Sequence, residues 1–107
     1  MDLHRLAEER SVAYHAVVGQ RLLADATVIA RARARVALWD RDGSVHPCWV
    51  DAWRRLLELP PSQLADALVD RSEAADALRQ VTPFAGVIEP RARWQIWRDV
   101  RQRLSSP

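Results

Sequence analysis

The sequence predicts an all-α fold, a compact single-domain bundle of about six helices spanning residues 1–107. Two observations carry that expectation. Only 3 of the 107 residues are glycine while alanine is abundant, a composition that suits close-packed helices and starves a sheet of its turns. Apolar residues, 49% of the chain, recur mostly at the helical period and do not alternate. A chain of this length holds one core and has no room for a second catalytic domain.

The first helix is expected from about Leu3 to Ala24, capped by Asp2. Leu3, Leu6, Ala13, Val17 and Ala24 line one side, and Tyr14, Val18 and Leu22 form a second row, so neighbours are expected on more than one flank. Gly19 costs up to about 1 kcal/mol relative to alanine inside a helix and signals a close crossing or a break. Asp25 is the expected N-cap of a second helix, Ala26 to about Asp40, which contains "ARARARV". As a strand this segment would align Arg31, Arg33 and Arg35. As a helix it puts Arg31 and Arg35 about 40° apart and gathers Ile29, Ala32, Val36 and Trp39 into one stripe, so the helix is preferred.

Asp40 to His46 read as a turn, with Gly43 free to take a positive φ. Pro47 suits the first turn of a third helix, "PCWVDAWRRLLEL", with Trp49, Trp53, Leu56 and Leu57 pointing one way and Cys48 as a small core residue. It stops at Pro60-Pro61. A short fourth helix from about Pro61 to Val69 contributes Leu64 and Leu68. A fifth begins near Asp70, where Asp70 and Glu73 have capping-box spacing, and turns Ala74, Ala77, Leu78 and Val81 inward. "TPFAGVIEP" is a connection bounded by proline and glycine, with Phe84 and Ile88 buried beneath or beside it. Pro90 opens the last helix, running to about Leu104, with Trp94, Trp97, Val100 and Leu104 as its apolar side and most of its arginines elsewhere. The tail "SSP" is expected to fray.

All 16 basic residues are arginine, and they are interleaved with 14 acidic residues for a net charge of +2. That pattern predicts a solvated mixed-charge surface and not a basic tail. A lone cysteine, Cys48, excludes an internal disulfide and a multi-cysteine metal cage, and fits a reducing compartment. No apolar run approaches the length of a membrane span, and "MDLHRLAEER" lacks the basic start and apolar stretch of a signal peptide, so a cytoplasmic location is expected.

Residues 35–44, "RVALWDRDGS", look like the first motif of the haloacid-dehalogenase-type phosphatases, with Asp40 and Asp42 as nucleophile and proton carrier. The context opposes that chemistry. The upstream period is helical, no adjacent acidic pair follows for a metal ion, and a doubly wound sheet does not fit the chain. A calcium loop fails because Val45, Pro47 and Trp49 stand where oxygen ligands are needed. The Gly43-Ser44 pair of a nucleotidyl-transfer site would precede its aspartates, whereas here it follows them. His4 and His15, or His46 with Cys48, supply too few ligands at metal spacing. No catalytic residue, metal or cofactor is expected.

Five tryptophans, Trp39, Trp49, Trp53, Trp94 and Trp97, all fall on expected apolar stripes, which argues for core packing. A domain of this size seldom encloses five indoles, so at least one is expected near the surface beside an arginine, a pairing enriched at protein interfaces. The last helix also carries Arg91, Arg93, Arg98, Arg101 and Arg103, which keeps a nucleic-acid-binding regulator as the alternative reading. A helix-turn-helix, however, needs a tighter link than the apolar connection before that helix.

The segment "SEAADALRQVTPFAGVIEPRARWQIWRDVR", Ser72 to Arg101, resembles a family of small bacterial proteins with an "ALRQ-x-x-PFAGV-x-x-PR-x-RW" core. "ERSVAYHAVVGQRLLAD" and "VHPCWVDAWRRLL" extend the likeness over nearly the whole chain. The resemblance implies an all-helical antitoxin, encoded beside a nucleotidyltransferase-type toxin that modifies transfer RNA. Some relatives carry a DNA-binding helix-turn-helix domain, and the resemblance implies that this chain corresponds to the antitoxin without one. It implies no catalytic residues. The expected partner-binding set is Arg79, Phe84, Arg91, Arg93, Trp94, Arg98 and Arg101, with the toxin as partner, nucleic acid as the less favoured one and no membrane.

Overall fold

The computed structural model describes residues 2–105. They form six helices and no strand: α1 (Leu3–Ala24), α2 (Thr27–Asp42), α3 (Pro47–Leu57), α4 (Pro61–Leu68), α5 (Glu73–Arg79) and α6 (Pro90–Ser105). The class and the number of helices are those expected. The expected fraying of the tail falls partly on residues 106 and 107, outside the described residues, while Ser105 is helical.

α1 starts where the Asp2 carboxylate accepts from the amides of His4 and Arg5, satisfying donors that a helix leaves open at its first turn. It is the central element, with α2, α4, α5 and α6 all packed against it. Its buried residues accordingly lie on several sides: Leu6, Val12, Tyr14, His15, Val18, Gly19 and Leu22. Leu3 and Ala24, expected inward, are exposed, because this 22-residue helix outruns the shorter helices laid on it. Gly19 marks a close crossing and no break. A Cβ built there would stand 3.2 Å from the Ala65 Cβ on α4, so the missing side chain is what lets the two helices approach.

Asp25 serves two helix ends. Its amide donates to the Arg21 carbonyl at the end of α1, and its carboxylate accepts from the amide and hydroxyl of Thr27 as α2 begins. Ala26 between them already has helical backbone. α2 runs two residues past the expected Asp40, to Asp42, and stops at Gly43, whose φ of 70° lets its amide reach the Trp39 carbonyl. Asp42 then accepts from the Ser44 amide.

The α3 stripe is rotated from the expected one. Val50, Trp53 and Leu57 are buried, Trp49 sits half-buried on the flank, and Cys48 is exposed rather than core, about 160° around the helix from Val50. α4 buries Leu64 and Leu68 as expected. α5 differs more. Its cap is Ser72, whose hydroxyl accepts from the Ala75 amide, while Asp70 acts one step earlier by accepting from the Ser72 amide and hydroxyl. Ala74 is exposed, and the buried residue of the helix is Arg79. A seven-residue helix makes two turns, so its inner face is settled by what it leans on and not by its own period.

The connection 80–89 carries the centre of the core. Phe84 is 0% exposed, edge-on to Trp53 at 5.9 Å and to His15 at 6.4 Å between ring centroids, with Ile88 buried beside it in the same cluster. Its own carbonyl accepts from the Tyr14 hydroxyl at 2.7 Å.

Truncating Phe84 should therefore cost stability on the scale of a large core aromatic: Phe84→Ala is expected to lower the unfolding free energy in urea by about 3–5 kcal/mol. Gly19→Val, which forces α1 and α4 apart, is expected to lose about 1–3 kcal/mol in the same titration.

Candidate functional site

α6 presents two chemically different flanks. At 100° per residue, Arg91, Trp94, Arg98 and Arg101 fall within an arc of about 80°, over a length of about 15 Å. All four are exposed. The opposite side holds Val100 in the core and the half-buried Ile96, while the half-buried Trp97 lies on the flank towards Arg93. Trp94 was expected on that apolar side. It instead stands 57% exposed, with the Arg98 guanidinium 4.8 Å from its ring centroid, the surface pairing of indole and arginine anticipated for one of the five tryptophans. The side chains of Arg91 and Arg101 make no hydrogen bond or ion pair with any described residue.

Other arginines are committed to structure. Arg21 donates to the Val87 carbonyl and to both carboxylate oxygens of Glu89, whose pKa is thereby pushed down to about 2. Arg35 donates to the Ala85 carbonyl and Arg33 to the Leu57 carbonyl. Arg54 pairs with Asp40 at 2.9 Å, and Arg71 and Arg103 both pair with Glu9. Asp40 and Asp42 therefore lie on a helix, one ion-paired and one holding the turn, without the strand a phosphatase nucleophile needs. Among the described residues no group of three or more His, Cys, Asp or Glu is placed to hold a metal ion.

Of the seven expected partner-binding residues, the structure brings Arg91, Trp94, Arg98 and Arg101 onto one outward face. Arg93 is exposed on the other flank of α6. Arg79 and Phe84 do not belong to a docking surface: Arg79 is 3% exposed and donates to the carbonyls of Leu68 and Asp70, and Phe84 is enclosed. The Leu68 carbonyl is at the open end of α4 and Asp70 lies just past its C-cap Val69, so Arg79 caps that end from the next helix. Its burial carried no local signal, since an arginine beside Gln80 at the end of a short helix reads as solvated.

The flank bearing Arg93 borders a cleft of about 370 Å³ between α1, the connection 80–89 and α6. Arg10 of α1 reaches across it, its guanidinium 5.8 Å from the Trp97 ring centroid. Sequence reasoning passed over Arg10, because nothing local announces a contact with a tryptophan 87 positions further along the chain.

At the floor of the cleft a polar relay fixes one tautomer of His15. The Ser11 carbonyl can only accept, so Nδ1 carries the proton and donates to it at 2.8 Å. Nε2 then accepts from the Thr82 hydroxyl at 2.9 Å, and that hydroxyl oxygen accepts from the Phe84 amide at 3.1 Å. Burial foremost, with a smaller push from the Arg79 charge, brings the imidazole pKa down to about 4 against the opposing bond to Ser11.

No family model, curated protein or solved structure matches the chain.

Because the folded pKa lies below the unfolded value, the unfolded chain binds the extra proton first. The stability from neutral His15 is complete above the unfolded value of 6.5 and is lost as pH falls towards 4. Urea titrations should show a loss of about 2 kcal/mol between pH 7 and pH 5. His15→Gln, which cannot titrate, should remove most of that dependence, and an unchanged slope would assign it to other groups.

Proposed function

We propose that this chain is a non-enzymatic antitoxin that neutralises a nucleotidyltransferase-type toxin by protein contact through the outer face of α6. The resemblance of residues 72–101 to a family of such antitoxins supplies the class of partner. The observation that carries the surface is the stripe Arg91, Trp94, Arg98 and Arg101, an exposed indole stacked under one guanidinium and flanked by two without internal partners. An aromatic anchor ringed by arginine is the composition of an interface hot spot. Unpaired guanidiniums suit an acidic, metal- and phosphate-binding mouth, because they fork onto carboxylates in bidentate fashion and occupy the ground that nucleotide or transfer RNA would need.

A place in the cytoplasm accords with the single exposed thiol of Cys48. Among the described residues no helix is long and apolar enough to cross a membrane.

The same stripe could also meet a phosphate backbone, and salt dependence separates the two readings. Co-expression with the product of the neighbouring gene is expected to rescue growth and give a complex that co-purifies. Trp94→Ala together with Arg98→Ala should weaken that complex by about 2 kcal/mol or more, about thirtyfold in Kd, while leaving the fold unchanged by circular dichroism. A neighbouring gene that is harmless alone, or a complex indifferent to both substitutions, would overturn the proposal. DNA or RNA binding that loses about one unit of salt slope per arginine removed from α6 would establish the regulator instead.

A further inference from the structure

We propose that the cleft between α1, the connection 80–89 and α6 is a binding site for a small organic phosphate of nucleotide size. Charge favours an anion. Three arginines, Arg10, Arg79 and Arg93, line the cleft, and among the described residues no carboxylate does. The side chains of Arg10 and Arg93 have no hydrogen bond or ion pair with any described residue, and the Arg10 Nε is buried without an acceptor. Arg79 lies beneath, held by the carbonyls of Leu68 and Asp70, with its nearest carboxylate, Asp76, 3.9 Å away. Glu89, Asp40 and Glu9 are each taken by an arginine elsewhere, so none of them neutralises Arg10 and Arg93 at the cleft. His15 at its floor is held neutral by its surroundings and adds no charge, while its Nε2 is already occupied by Thr82.

Shape favours an organic body. A volume of about 370 Å³ exceeds what a bare phosphate ion needs and falls in the range of small-molecule sites. The remaining wall is largely apolar, from Tyr14, Trp97 and Ala85, which asks for a ligand with a flat apolar body as well as an anion. A doubly charged phosphate ester satisfies both demands, and guanidinium forks match its oxygens better than a single carboxylate would. At the rim, Gly86 sits at a φ of 83°, and its amide and that of Ala85 donate to no described residue, leaving two further donors for phosphate oxygens.

Arg10 and Arg93 lie off the outer stripe of α6, so this site stands or falls separately from docking of a toxin. The test is titration of the isotopically labelled full chain with adenosine 5′-monophosphate, followed by amide and indole NMR shifts. Saturable shifts are expected at Thr82, Ala85, Gly86 and the Trp97 indole, with adenosine and inorganic phosphate each binding more weakly. Arg93→Gln and Arg10→Gln should each raise Kd by about tenfold or more, and Arg101→Gln, on the outer stripe, should leave it unchanged. Absence of saturable shifts in the cleft, or equal weakening by Arg101→Gln, would overturn the site. Adenosine binding as tightly as its phosphate would overturn the anion assignment, and inorganic phosphate binding as tightly would overturn the organic body.

Discussion

Phe84 enters the core from a connection and not from a helix, and the rest of the structure depends on what keeps it there. Its ring bridges His15 on α1 and Trp53 on α3, edge-on to both. A connection does not satisfy its own backbone as a helix does, so burial of this segment requires outside partners for its polar groups. Tyr14 supplies one for the Phe84 carbonyl, Arg35 for Ala85 and Arg21 for Val87, while Thr82 takes the Phe84 amide. Four side chains thus convert a stretch of irregular backbone into a fixed wall.

That wall gives α6 its orientation. With the connection fixed up to Glu89, whose carbonyl accepts the amide of Arg93, the last helix leaves at a set angle and a set rotation. One flank then faces solvent with Trp94 and Arg98, and the other overhangs the cleft with Arg93 and Trp97. The all-arginine basic complement matters here, because a guanidinium can serve a carbonyl, a carboxylate or an indole face by the same planar fork. Arginines that reach carbonyls or carboxylates are spent on the fold. Of the arginines whose side chains reach neither, Arg91, Arg98 and Arg101 gather beside Trp94 on the outer face of α6, and Arg10 and Arg93 gather at the cleft.

The helical class, the six elements and most of their inner residues were legible in the sequence, because long helices repeat their apolar period and short ones are bracketed by proline and capping residues. Gly19 correctly announced a crossing, since glycine inside a helix costs stability that close approach can return. Where the reading failed, the missing quantity was tertiary. The rotation of α3 that exposes Cys48 depends on Phe84 lying against Trp53. The burial of Arg79 depends on the open carbonyls of α4, and the outward turn of Trp94 depends on the angle at which the connection releases α6. Of the candidate surface, Arg91, Arg98 and Arg101 were readable as a helical stripe, but Arg10 and Thr82 join the cleft only through contacts distant in sequence.

Residues 82–88 are a rigid part of the core and not a surface loop. Native-state hydrogen exchange at the amides of Phe84 and Val87 tests it most directly, since one donates to Thr82 and the other to the Phe84 carbonyl. Both are expected to exchange only through global unfolding, with the same opening free energy as the Val18 amide at the centre of α1. Exchange at the rate of a frayed terminus, with Val18 still protected, would show that Phe84 leaves the core by local opening and would contradict the account.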